Sequence, residues 1–166
     1  MITIQRVVYK EKSILRNLLQ FYHYDFSEFE PELDINAAGL YEYKYLDHYW
    51  TEDSRHPFFI KVGEQLAGFA LIREIGRLDN DNPIYSMAEF FVMRKYRKTK
   101  VGQGAAHQLF QHFPGIWKVG QIETNIPAQT FWRKTISRYT NGHYDEIREE
   151  DWDGPIQKFS SIELFD

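Results

Sequence analysis

Between Met87 and Phe113 the sequence reads MAEFFVMRKYRKTKVGQGAAHQLFQHF. A short apolar run passes through a basic loop and a Gly-Gln-Gly step into a stretch whose apolar residues, Ala105, Ala106, Leu109, Phe110 and Phe113, recur with helical spacing. The chain must therefore turn a strand into a helix here. Arg94, Lys95, Arg97, Lys98 and Lys100 place five cationic side chains in the loop, with no carboxylate among them. The N–H groups that open a helix lack partners within it, and the helix dipole favours negative charge at that end, so the segment suits a phosphate.

A Gly-x-Gly pair is common and a basic run is often only a solvated surface, so an exposed loop is one reading. A dinucleotide turn of the Gly-x-Gly-x-x-Gly kind, with Glu123 holding a ribose, is a second. It fails because His107 occupies the third glycine position and a long basic stretch separates the strand from Gly102. Too little chain follows for a doubly wound domain. No Gly-Lys-Ser or Gly-Lys-Thr is present to make a P-loop.

The third reading is a resemblance. The stretch resembles the acyl-CoA-binding motif of the GNAT superfamily of N-acyltransferases, in which a strand ending Val-x-x-x-Tyr-Arg meets a Gln/Arg-x-x-Gly-x-Gly/Ala loop. Val92, Tyr96 and Arg97 match the lead, and Arg97-x-x-Lys100-x-Gly102 matches the loop with Lys100 in the usual place of the first glycine. A slipped alignment, Thr99-x-x-Gly102-x-Gly104, restores both glycines and loses the leading Gln/Arg. Farther on, IETNIPAQTFWRK (122–134) is similar to the family's later element, with Asn125, Ala128 and Phe131 matching. The resemblance implies that Asn125 contacts the coenzyme. It also puts Trp132 where a tyrosine usually protonates the departing thiolate, and an indole N–H donates hydrogen bonds without being an acid near neutral pH. Asn125 is equally suited to cap a helix that has Pro127 in its first turn and Ala128, Phe131, Trp132, Thr135 and Ile136 on one face.

Patterning predicts a strand at 2–8 and a helix carrying Ile14, Leu15, Leu18, Leu19 and Tyr22. A second helix is expected within 34–50, using Leu40, Tyr43 and Leu46 or Asp47, although Gly39 weakens it. Strands at 58–62 and 66–73 flank the turn Gly63-Glu64-Gln65, and a polar loop at 77–83 precedes a strand at 85–92. After the helix to Phe113 come a strand at 116–123, a helix after Asn125 and a final strand at 156–164, with room for one more near 143–148. The expected class is α+β. The resemblance implies a mixed, mostly antiparallel central sheet with helices on both faces and a CoA-binding splay after the fourth strand, in a single domain spanning 1–166.

The 166 residues contain no cysteine, which removes disulfides, thiolate metal sites and the commonest acyl-enzyme nucleophile, and so favours direct transfer to an acceptor. His23, His48, His56, His107, His112 and His143 show no metal-ligand spacing, so no metal is expected. Neither a signal peptide nor a bilayer-length apolar run is visible, which points to a cytoplasmic protein without a membrane partner, monomeric or homodimeric. From Tyr22 to Asp53 nine carboxylates face one cation, Lys44. An acyl-CoA is polyanionic and an amine cationic, so a basic pole and a separate acidic, aromatic pole suit a protein that handles both.

The implied chemistry is attack of a neutral amine on the acetyl-CoA thioester, through a tetrahedral oxyanion, with loss of the CoA thiolate. Glu89 interrupts its apolar strand and is the candidate base, because partial burial would raise its pKa; a solvent-facing strand glutamate is the alternative. Backbone N–H groups near Val92 and Met93 would meet the oxyanion. Arg97, Lys98 and Lys100, with the N–H groups of Val101, Gly102, Gln103 and Gly104, would hold the pyrophosphate, and Asn125, Ala128 and Trp132 would line the coenzyme site. Tyr139 lies on a helical face similar to that of Trp132 and is a candidate for protonating the thiolate, with water as the alternative. Two rivals stand beside an N-acetyltransferase: a catalytically weak acyl-CoA-binding regulator, and a nucleic-acid-binding module using 94–100, which the overall charge of −4 disfavours.

Overall fold

Ala67 to Ile72 is apolar at nearly every position because its strand is covered on both faces; all of these residues but Gly68 belong to the buried hydrophobic core. In the computed structural model, which describes residues 1–162, that segment lies in β3 (Gln65–Arg77) of a seven-stranded sheet. The other strands are β1 (Ile2–Arg6), β2 (Arg55–Val62), β4 (Pro83–Val92), β5 (Ile116–Gly120), β6 (Asp145–Ile147) and β7 (Ile156–Ser160). Their spatial order is β1-β2-β3-β4-β5-β7-β6. Among the described residues only β4 and β5 run parallel; the other neighbouring pairs are antiparallel. The β2–β3 hairpin closes at Val62↔Gln65, and Gly63 takes the left-handed φ of +57° that the tight turn needs.

Helices cover both faces, as expected. On one face α1 (Lys12–Phe26) turns Leu15, Leu18 and Leu19 onto Phe59, Phe69, Leu71 and Phe91. On the other, α3 (Val101–His112) and α4 (Ile126–Thr140) bury Leu109, Phe110, Trp132 and Ile136 against Ala70, Ile72, Met87 and Trp117. Trp117 is fully buried, and its indole N–H donates to the Phe113 carbonyl at 3.0 Å.

The helix expected within 34–50 does not form; only its end is helical, as α2 (His48–Thr51). Asn36 explains why. Its side-chain oxygen accepts the N–H groups of Ala38 at 2.9 Å and Leu40 at 3.1 Å, while Gly39 sits at φ +77°. Gln20 of α1 then exchanges two hydrogen bonds with the Tyr41 backbone and pins the irregular segment to the helix. Leu40, expected on a packed face, is exposed.

Strand ends differ in a way that matters for function. β5 stops at Gly120 instead of reaching Glu123, because the next N–H groups bond to an irregular loop: Gln121 N–H to Pro155 O at 3.1 Å and Glu123 N–H to Asp153 O at 3.0 Å. β7 ends at Ser160, and positions 163 and 164 of the strand expected there lie outside the described residues. β6 fills the place left open near 143–148 and forms the sheet edge.

β4 and β5 pair only from Ile84–Ser86 to Ile116–Lys118 and then part. Two causes act together. The bonds from Gln121 and Glu123 hold the departing chain on the β7 side. In β4, Glu89 pairs with Leu71 and Met87 with Ile72, which leaves Ala88 as a bulge that bends the strand away. No helix among the described residues is long and apolar enough to cross a membrane.

Candidate functional site

The parting strands open a cleft of about 280 Å³. Ala88, Glu89 and Phe90 of β4 form one wall, and Gly120 and Gln121 form the other, with Asn125, Ala128 and Trp132 of α4 beneath. Tyr22, His23 and Phe26 of α1 enter from the opposite face, and Trp152 closes the side beyond β5. Trp152 keeps this position by donating its indole N–H to the Gln121 carbonyl at 3.0 Å, above Gly120, where a Cβ would lie 3.0 Å from that same nitrogen.

Glu89 lines the cleft at the middle of its β4 wall. The bulge at Ala88 turns it toward α1, where the Tyr22 hydroxyl donates to its carboxylate. Burial pushes the Glu89 pKa up from 4.5 to about 7, and the Tyr22 hydrogen bond only partly opposes it. The reading of a solvent-facing strand glutamate therefore does not hold. Tyr22 and Tyr43 are held well above the ordinary phenol range, by burial first and by the Glu89 charge next, so both stay protonated around it. Burial lowers the pKa of His23, leaving a neutral imidazole whose Nδ1 has no hydrogen-bond partner among the described residues.

The two backbone groups expected to meet an oxyanion are separated by the ladder. Met93 N–H is committed to Ala67 O at 2.7 Å. By the alternation of an antiparallel pair, the N–H and C=O of Val92 and Phe90 then face away from β3, into the open edge. The Val92 carbonyl accepts from Arg97 Nε at 2.7 Å, which fixes the loop to the end of β4.

In that loop Arg97 and Arg94 both pair with Asp25 of α1 and hold its carboxyl below the usual range even though its partial burial acts the other way. Lys98 and Lys100 are exposed and have no ion pair among the described residues. The N–H groups of Val101, Gly102 and Gln103 meet no acceptor among the described residues, whereas Gly104 N–H bonds to Lys100 O at 2.9 Å. The two glycines are small for packing reasons: a Cβ on Gly102 would press on the Phe131 ring at 3.1 Å, and one on Gly104 on Ile2 at 2.9 Å. The side chain of Gln103 accepts from Arg138 of α4.

Lys100 adopts the left-handed conformation, φ +68°, at the helix entry. A glycine there would meet no steric penalty from a Cβ. Lys100→Gly is accordingly expected to raise stability by about 1 kcal/mol, read as a higher urea midpoint, while weakening binding of a phosphorylated ligand most at low salt.

Asn125 caps α4 by accepting Ala128 N–H at 3.1 Å and also faces the cleft, so the capping and ligand-facing readings coexist. Trp132 is buried against Phe90, lines the cleft, and leaves its indole N–H without a hydrogen bond to any described residue. Tyr139 does not reach the cleft. Its ring packs between Phe110 at 5.2 Å, His107 at 5.2 Å and Phe159 at 6.1 Å, under the far end of α4. Among the described residues no group of His, Asp and Glu is placed to hold a metal ion.

Sequence reasoning missed Trp152, Gln121 and the bond from Tyr22 to Glu89. Tyr22 and Phe26 carried a usable signal, because they continue the Leu15–Leu18–Leu19 face of α1 toward the strand that holds Glu89. Trp152 carried none, since its irregular loop has no periodicity.

The family model described as Acetyltransferase (GNAT) family matches residues 15–136, most of the chain. No curated protein sequence matches. Among solved structures, a GNAT-family acetyltransferase from Staphylococcus aureus superposes with a TM-score of 0.62 at 18% identity, covering 97% of this chain and 99% of that one. An acetyltransferase from Thermus thermophilus gives 0.68 at 12% identity over 95% of both chains. An aminoglycoside acetyltransferase solved in complex with coenzyme A gives 0.64 at 12% identity, over 96% of this chain and 95% of that one. At these identities the likeness speaks for the fold.

Proposed function

Because the chain belongs to the acetyltransferase (GNAT) family, we propose that it moves the acetyl group of acetyl-CoA directly onto a primary amine of a small molecule or peptide. The observation that carries this reading is Glu89, a half-buried carboxylate with a pKa of about 7, set in the cleft where β4 and β5 part. A base of that strength takes a proton from an ammonium at neutral pH far more readily than an exposed glutamate does.

The residues present fit acetyl-CoA. Lys98, Lys100 and the free N–H groups at the start of α3 form the end that would hold phosphates. The unpaired edge of β4 offers Val92 and Phe90 backbone groups to an extended amide-bearing arm, as a strand edge does for a peptide. Acetyl-CoA supplies an activated acyl carbonyl and a thiol leaving group. Glu89 removes the amine proton while the Tyr22 hydroxyl orients the carboxylate, and Val92 N–H donates to the carbonyl oxygen as charge develops there. Tyr139 packs away from the cleft and Trp132 can donate but not ionise, so protonation of the departing sulfur is assigned to water.

Calorimetric titration with acetyl-CoA, with CoA and ATP as controls, followed by thiol release on an amine panel, tests the assignment. Saturable, salt-tolerant binding that far exceeds that of ATP, with thiol release dependent on an amine, is the expected result. Binding without release on any amine would favour the regulatory reading that Trp132 raised. Equal, salt-sensitive binding of every polyanion would reduce the loop to a basic surface.

A further inference from the structure

We propose that the acceptor is a small amine carrying a second positive charge a few carbons from its reacting nitrogen, and that Glu30 is the residue that selects it. The inference rests on the acetyl-transfer reading above and concerns only the acceptor end of the same cleft.

Among the described residues the lining of the cleft contains two acidic residues, Glu89 and Glu30, and neither lysine nor arginine. Glu89 is occupied by its work on the reacting nitrogen and by Tyr22. Glu30 is half-buried, forms no ion pair among the described residues, and accepts only a long 3.5 Å hydrogen bond from Glu32 N–H. Arg94 and Arg97 are both committed to Asp25 on α1, and His23, the remaining titratable nitrogen of the lining, is a neutral imidazole. A carboxylate so placed beside aromatic walls gains most from a cation brought by the ligand.

The surfaces around Glu30 describe the rest of that ligand. Phe26, Leu33 and Trp152 line the same cleft, so the segment joining the two nitrogens would cross hydrocarbon and ring faces. A second ammonium can rest against those rings as well as the carboxylate. An acceptor that carries its own carboxylate would meet Glu30 with like charge and find no lysine or arginine among the described residues of the lining. The backbone fixes the placement of Glu30: its N–H donates to Phe26 O at 3.2 Å, its carbonyl accepts from Leu33 N–H at 3.1 Å, and the Phe29 carbonyl between them accepts the Thr124 hydroxyl at 2.7 Å. The end of α1 is thereby tied across the cleft to the loop that follows β5.

Three four-carbon probes separate the possibilities: butylamine, putrescine and γ-aminobutyrate, with the five-carbon homologues as a second set. For the wild-type protein kcat/KM should be at least about tenfold higher for putrescine than for butylamine, and lowest for γ-aminobutyrate. Glu30→Gln keeps shape and hydrogen bonding, and it should erase the preference for the diamine mainly through KM while leaving butylamine turnover and acetyl-CoA binding unchanged. Equal use of butylamine and putrescine, preference for γ-aminobutyrate, or an equal loss on all three probes in Glu30→Gln would overturn the assignment of Glu30 while leaving acetyl transfer intact. Acetyl-CoA binding with no thiol release in the presence of any probe of either length would overturn the assignment of Glu30, and the same result across the full amine panel would overturn acetyl transfer as well.

Discussion

Glu89→Gln should lower kcat by about a hundredfold to ten-thousandfold, the range expected for loss of a positioned base, with acetyl-CoA affinity unchanged. Glutamine still accepts the Tyr22 hydroxyl, so the geometry survives while the basicity does not. In the unsubstituted protein kcat/KM should climb with pH and level off above about 7, where Glu89 has lost its proton. The same substitution should make the protein more stable in alkaline buffer. Glu89 releases its proton at about 7 when folded and near the ordinary 4.5 when unfolded, so between those pH values the folded state binds more protons. Its contribution to stability therefore falls as pH rises through that window, and the full penalty is present above it. A shift of this size corresponds to on the order of 3 kcal/mol, and the gain falls short of it because the buried glutamine amide carries a desolvation cost of its own. Urea melts of both proteins at pH 5 and pH 8 should show curves that are close at the lower pH and separated at the higher. A mutant that is inactive but no more stable at pH 8 would mean that Glu89 is ordinarily ionised and solvated.

Gly154→Ala is the second large effect. Gly154 has a φ of +149°, and a Cβ there would lie 1.9 Å from the Gln121 carbonyl oxygen, a backbone atom that cannot step aside alone. Accommodating the methyl group means moving the loop that bonds Gln121 and Glu123 and carries Trp152. The expected loss is about 3 kcal/mol or more, with weakened acetyl-CoA binding because the same bonds hold β5 apart from β4. Gly142→Ala is the matched control: it also sits at positive φ, +82°, but in open space, so only the backbone penalty of about 1 kcal/mol applies. Equal urea midpoints for the two variants would show that the loop yields easily and does not hold the cleft open.

The sequence carried the elements that obey local rules. Alternating and continuous apolar runs located β1 to β5, the stripe through Leu15, Leu18 and Leu19 located α1, and the Asn125 and Pro127 pair marked the start of α4. Two motifs in the right order pointed to the acyl-CoA reading, and Glu89 stood out as a charge in an apolar strand. Other features depend on contacts that have no local signature. Asn36 and Gln20 together override the helical spacing of 34–50. The glycines of the loop resemble phosphate-approach positions in sequence, yet they face Phe131 and Ile2. Helical spacing brought Tyr139 near Trp132 on paper, but two further turns of α4 carry it under Phe110 and Phe159. Arg97 matches its motif and is held by Asp25, a partner far away in sequence.

The position of β7 inside the sheet, between β5 and β6, has a bearing on how the molecule is made. Until Ile156–Ser160 emerges from the ribosome, β5 has only its short parallel contact with β4 and stands as an unprotected edge. The loop with Trp152 and Gly154, which both separates the strands and walls the cleft, is synthesised in the same late interval. A nascent chain can bury the α1 face early, but the cleft is incomplete until this segment docks. Turnover therefore serves as an assay of completed folding, and a refolding experiment should recover it together with the docking of Trp152 onto the Gln121 carbonyl and after the helical signal.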